Sequence, residues 1–383
     1  MRIVLHGGFG EKGRTCVGVE TGQFRLLLDA GVKTSARGRE DYWPSITPAE
    51  LAATDAILVT HGHEDHVAAL GWCFDHGFRG PVYMTPATRR DAALSLADYG
   101  EPGHVARLHA ADVRELQVGA RGMRLGPLQV VTGRAGHVEG GVWCSVADSR
   151  LRFLYCGDVV PESGVFRMDP VPACDVAAID ASYGDDATAP SARAAQIREW
   201  VDAHAGGCAL PTPLYGRSLE LLAILPAPVA LAPGMREALA AQLRDRSWLG
   251  EDAGDVLEHK LAQAFDWHES EPLPRAALIC HDGMGMAGPA RAILETCMRI
   301  DHPALFTGHV PEGTLAHRMV ELGKGAWIRL PTHPTVAENV AIASASNASV
   351  LLGHSCARDA LERLAVHLPS LRVDTATGDR IDF

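Results

Sequence analysis

The first half of the chain alternates short apolar runs with turn residues. "RIVLHGG", "TCVGVET", "FRLLLDAG" and "DAILVTHG" come first, then "GPVYMTP", "GPLQVVTG", "VWCSVAD", "RFLYCGD" and "VAAIDAS". Each run is rich in Val, Leu or Ile and bounded by Gly, Asp or Pro, which predicts strands joined by turns. One helix is predicted here, "VAALGWCFDHG", stopped by Gly77. Near residue 186 the texture changes. "PSARAAQIREWVDAH" predicts a helix with Ser191 as its N-cap. The helical spacings of "SLELLAIL", "GMREALAAQLRDR" and "GPARAILETCMRI" then alternate with short runs such as "PVALA" and "AALIC". This alternation predicts an α/β unit with a parallel sheet. The chain ends on a strand, "SVLLGHS", and a helix, "CARDALERLAVHL", with no internal repeat.

Length and composition narrow the picture. A chain of 383 residues suggests two domains, or one with a large insertion. At 47% hydrophobic and 21% charged it can bury a large core and is not of the disordered class. The net charge is -12, whereas a protein that grips nucleic acid usually shows a basic surface. Positive charge must then be concentrated locally, be borrowed from bound metal, or not be needed. The opening "MRIVLHGGFG" lacks a signal-peptide shape, and no apolar stretch is long enough to span a membrane. The nine cysteines form no C-x-x-C pair, which points to free thiols in a reducing compartment, the cytoplasm.

The chemistry concentrates at "THGHEDH", residues 60 to 66, directly after an apolar run. Histidines and carboxylates crowded this closely are comfortable mainly around a cation. In extended backbone His61 and His63 share a face and can ligate one metal. Asp65 and His66 follow where the chain turns into a helix and can reach a second metal. His and carboxylate ligands suit zinc or manganese, and the histidines favour zinc. Such a site needs further ligands at other strand ends. Asp29 in "LLLDAG", His137 in "GRAGHVEGG", Asp158 in "FLYCGDVV" and His354 in "VLLGHS" meet that need.

H-x-H-x-D-H followed by a distant His, Asp and His resembles the metallo-β-lactamase fold. "AAIDASYG", "PLYGRSLELL", "HDGMGMAGPARAIL", "GHVPEGTLAHRM", "LPTHPTVAEN" and "VLLGHS" resemble, in order, the motifs of its β-CASP subfamily, and "HGGFGEKGRTC" is similar to the start of the J-type ribonucleases. The resemblance, also to mRNA 3′-end cleavage factor subunits, implies an αββα sandwich with an inserted α/β domain. The first part of the core would cover residues 1–183, the β-CASP insertion 184–328 and the returning core 329–383, with the active site in the cleft between the domains. It implies two zinc ions (manganese being the alternative), one held by His61, His63 and His137, the other by Asp65, His66 and His354, with Asp158 bridging and Asp29 orienting a ligand from behind. It further implies a hydroxide between the metals attacking phosphorus in line, with His333 as general acid positioned by Asp180, and Asp65 counted with the catalytic residues. One departure stands out: family members carry Ser-x-His-x-Asp where this chain reads "PTHPT", without the aspartate.

The expected function is a zinc-dependent phosphodiesterase acting on single-stranded RNA or DNA, with a homo-oligomer left open. Two rival readings stand beside it. One is a hydrolase of a small phosphodiester or another small substrate, since fold does not fix substrate. The other is a weakly active relative that binds nucleic acid or scaffolds a complex, against which the full ligand set argues.

Overall fold

The computed structural model describes residues 1–119 and 121–383. They form two compact units: Met1–Pro161 with Met168–Ala187 and His333–Phe383, and Glu162–Arg167 with Thr188–Thr332.

The first unit contains two seven-stranded sheets. One runs, in spatial order, Arg380–Asp382, Arg2–Gly7, Cys16–Glu20, Arg25–Leu28, Ala56–Leu58, Val82–Met84 and Val113–Glu115. The other runs Leu371–Arg372, Val350–His354, Val176–Asp180, Arg152–Tyr155, Val142–Ala147, Leu128–Arg134 and Gly119–Leu125. Helices cover each sheet on one face. Leu27, Ile57 and Val82 pack with Leu70 and Leu96, and Leu154, Ala177 and Leu351 pack with Ile342, Leu361 and Leu364. This is the αββα sandwich that the family resemblance implied. Strands pair in parallel where the chemistry lies: Arg25–Leu28 with Ala56–Leu58, and Val176–Asp180 with both Arg152–Tyr155 and Val350–His354. Parallel neighbours end on the same edge of a sheet, which is where α/β proteins place their ligands. The Val142 N–H, donating to the Thr60 carbonyl at 3.0 Å, ties the two sheets together at that edge.

The second unit has its own core, with Leu210, Leu222, Leu239, Ile279 and Ile293 among its buried residues. Its sheet orders Cys208–Pro211, Ala277–Cys280, Val229–Leu231 and Phe265–Asp266, all parallel, as the alternation of helices and apolar runs predicts. The helix expected with Ser191 at its N-cap instead spans Pro190–Ala203 with Ala189 at the cap. Proline is preorganised for the first helical position and carries no N–H to be capped, so it moves the boundary back.

The helix expected after residue 66 is split into Glu64–Val67 and Leu70–Asp75. The Ala69 N–H donates to the Ala30 carbonyl at 2.8 Å, and the Asp65 carbonyl accepts from the Thr15 N–H at 2.9 Å. The bond that would have joined the two segments is therefore spent on the neighbouring loop. That loop lies so close that a Cβ on Gly31 would sit 1.7 Å from the Asp65 oxygen. Gly31→Ala should accordingly destabilise the first unit by about 1–3 kcal/mol or more and displace Asp65 and His66. Urea unfolding and metal content of the purified variant would check this; wild-type values for both would be the contrary result.

Candidate metal centre

His61 and His63 leave the end of Ala56–Leu58, and His137 lies in the glycine-rich turn after Leu128–Arg134. The structure brings the three together. Their ring centroids stand 4.8, 4.9 and 5.0 Å apart, with interplanar angles of 83°, 88° and 84°. Three mutually perpendicular imidazoles around one point form a corner that suits a cation with nitrogen ligands. With Asp158 they make one group of ligand-type atoms, all within 4.8 Å of one another; Asp65, His66 and Asp158 make a second.

Asp158 belongs to both groups, one oxygen to each. Its Oδ2 lies 3.7 Å from His61 Nε2 and 3.7 Å from His137 Nε2, while its Oδ1 lies 3.1 Å from His66 Nε2. His354 stands outside the two groups, its ring 6.4 Å from that of His66. Its Nε2 is nonetheless buried without a hydrogen-bond partner, as are His61 Nε2, His66 Nε2 and Asp158 Oδ1. Buried polar atoms in folded proteins are almost always satisfied. Four unsatisfied ones on neighbouring ligand-type side chains fit cations, and the donor set of imidazole and carboxylate fits zinc or manganese chemistry.

The orientation of these rings is fixed from behind by Asp29, which is fully buried. Its Oδ1 accepts from the Thr60 N–H at 2.7 Å. Its Oδ2 accepts from Thr60 Oγ1 at 2.8 Å, from His66 Nδ1 at 2.7 Å and from the Tyr155 hydroxyl at 2.7 Å. The single Thr60 hydroxyl proton is thus spent on Asp29, so His61 Nδ1, 3.1 Å from Thr60 Oγ1, must be the donor there. Both His61 and His66 therefore carry their proton on Nδ1 when neutral and present the Nε2 lone pair to the centre.

The electrostatics follow the same layout. Burial, reinforced by His66 and His63, pushes His61 well below the usual histidine range, so it is neutral, the form that ligates. Burial also lowers His354. Burial would lower His66 too, but Asp158, Asp29 and Asp65 outweigh it and raise the ring well above its ordinary value. Burial would raise Asp158, but His66 and His333 hold it well below the usual carboxylate range.

Beside the two groups, His333 Nδ1 lies 2.9 Å from Asp180 Oδ2 and 3.6 Å from Asp158 Oδ2. Asp180 is fully buried and accepts from the Ser182 N–H at 3.0 Å and the Val159 N–H at 3.3 Å. The Tyr183 ring meets His333 edge-on at 5.0 Å. Every residue singled out in the sequence thus falls in this region. Thr60, Tyr155 and Ser355, whose Oγ lies 3.1 Å from His354 Nδ1, act here as well. A hydroxyl at a strand end gives no signal in a single sequence, which is why these three were not visible.

The chain has the metallo-β-lactamase fold of the β-CASP subfamily. The model of the Metallo-beta-lactamase superfamily matches residues 10–199. The chain is 24% identical over 385 aligned residues to the transcription termination factor FttA of Methanothermobacter thermautotrophicus, covering 86% of this chain and 59% of that one. It is 30% identical over 243 residues to the ribonuclease TTHA0252 of Thermus thermophilus, covering 59% and 54%. It therefore spans little more than half the length of these curated relatives. A crystal structure of a protein of unknown function from Enterococcus faecalis V583 shares the fold, with a TM-score of 0.65 over 99% of each chain at 11% identity.

Because Asp158 faces both groups, Asp158→Ala should weaken metal binding at both, whereas His63→Ala should weaken it at one. Metal counted per chain after dialysis separates the two outcomes, and equal stoichiometry in both variants would contradict the bridging geometry. Metal binding must also displace the proton that His66 favours, so zinc uptake should release protons and weaken as pH falls. A pH indicator in weakly buffered solution reads this directly.

Proposed function

We propose that this protein is a zinc-dependent phosphodiesterase that cleaves single-stranded RNA. The observation that carries the proposal is Asp158, with one oxygen turned to each of two ligand groups and with the His333–Asp180 pair beside them. The ribonuclease among its relatives supports the choice of substrate. In this reading His61, His63 and His137 would hold one zinc and Asp65, His66 and His354 the other, with Asp158 facing both groups. Two zinc ions held so would supply a nucleophile at neutral pH and neutralise charge on the phosphate.

The remaining chemistry belongs to the side chains. Asp180 holds the His333 proton at Nδ1, and its two backbone N–H donors fix it in place. The other ring nitrogen, Nε2, then gives a proton to the leaving oxygen, a role worth about 10²–10⁴-fold in rate. Tyr183 restrains the ring's rotation. The nine cysteines are all free and buried, which supports a reducing compartment, and among the described residues no helix is long and apolar enough to cross a membrane.

The test is degradation of end-labelled single-stranded RNA by zinc-loaded protein, with single-stranded DNA and a small chromogenic phosphodiester in parallel. His333→Ala should retain both metals and lose about 10²–10⁴-fold in turnover. Cleavage of the small diester alone would move the assignment to a small-molecule hydrolase. No cleavage of any substrate by protein with two zincs bound would favour a binding role.

A further inference from the structure

We propose that the helix Pro86–Tyr99 is a splint that sets the distance between the two loops of the first metal position, with Arg90 and Ser95 as positioning residues. The inference rests on the reading that His61, His63 and His137 hold a metal. These histidines come from two loops far apart in the chain, and His63 Nδ1 lies 3.0 Å from His137 Nε2. A three-histidine corner tolerates little relative movement of its loops, since ligand geometry must hold to a fraction of an ångström.

One helix grips both loops. On the His137 side, the hydroxyls of Thr85 and Thr88 lie 2.9 and 3.2 Å from the Gly140 carbonyl oxygen. Arg90 Nη1 donates to Glu139 Oε2 at 2.9 Å, two residues from His137. On the His61–His63 side, the Ser95 hydroxyl donates to the Gly62 carbonyl at 2.6 Å, on the residue between the two histidines. Arg90 Nε also donates to Asp91 Oδ1 at 2.6 Å, which fixes the guanidinium that reaches Glu139.

The contact is close on both sides because both loops present a glycine to the helix. A Cβ on Gly62 would lie 2.4 Å from Asp91 Cβ, and one on Gly140, whose φ is +79°, would lie 2.5 Å from Thr85 Oγ1. The helix buries Thr88 and Asp91 beside Ala92 and Leu96. Polar groups on a face that should be apolar are costly unless each is hydrogen-bonded; here Thr88 is spent on the Gly140 carbonyl and Asp91 on Arg90, which reaches Glu139. The hydrogen bonds that orient His66 run instead to Asp29, so loosening the splint should act on one metal position and spare the other.

The experiment titrates zinc-loaded wild type, Arg90→Met, Arg90→Lys and Ser95→Ala with a chelator and counts the metal released, with visible spectra of the cobalt(II)-loaded forms. Wild type should hold two ions. In Arg90→Met and Ser95→Ala one ion should weaken by about 10–100-fold, the cost usual for losing a ligand's outer partner, while the other stays. The cobalt spectrum should change in the same step. Arg90→Lys should fall between, because lysine keeps the charge but not the two-pronged geometry. Unchanged affinity for both ions would overturn the splint. So would parallel loss of both ions together with a lower unfolding temperature of the metal-free variants. A wild type that binds no metal would overturn the metal reading itself, before any variant is compared.

Discussion

Four donors converge on the buried carboxylate of Asp29, and the centre is arranged around it. They come from the chain just before the first histidine, from His66, and from Tyr155 of the opposite sheet. A carboxylate so enclosed would be expensive if any partner were missing. Fully satisfied, it locks both sheets and two imidazole tautomers into one arrangement. Its backbone adopts φ +64°, a left-handed conformation that aspartate tolerates better than most residues. Its own N–H donates to the Leu58 carbonyl at 2.8 Å, so this segment is paired to the strand that delivers the histidines. The Ala30 and Gly31 N–H groups donate to the His66 and Thr15 carbonyls, so the Asp-Ala-Gly run is bound into the same arrangement as the ligand set.

The charge of the molecule gains meaning at this point. A chain of net charge -12 has little general attraction for a polyanion. Its centre brings together the carboxylates of Asp29, Asp65, Asp158 and Asp180, with neutral histidines such as His61 facing them. Two divalent cations placed there would be the largest local charges and would reverse the sign of the site. Affinity for an anionic substrate would then be a property of the loaded protein, which is how an acidic chain can act on a phosphodiester without a broad basic face.

Much of this was legible in the sequence because strand ends, histidine spacing and turn glycines are local signals. The apolar runs mark the strands, and "HGHEDH" marks the ligand loop by itself. What escaped is what depends on distant partners. The break at residues 68–69 comes from the Ala30 carbonyl and the Thr15 N–H, which no helical periodicity reports. The strand Cys208–Pro211 contains Cys, Ala, Leu and Pro, too short and too poor in β-branched residues to stand out. The helix Pro86–Tyr99 is not among the predicted elements, and the parts of Arg90 and Ser95 show only when the two loops they hold are placed against it.

At "PTHPT" the motif changes while the local structure keeps a helix start at the same place. Thr335, in the position where family members carry aspartate, is the N-cap of the helix Val336–Ser346 and forms a capping box with Glu338. Threonine and aspartate are both good N-caps, because each offers an oxygen to the first free N–H groups of a helix. The His333 ring makes its hydrogen bond to Asp180 rather than to that position. The capped helix in turn carries Asn339, whose Nδ2 donates to the Asp180 carbonyl at 3.0 Å. The cap therefore reaches His333 through the backbone of the residue that holds its proton. A substitution that preserves the helix start preserves the proton's position, whichever oxygen does the capping.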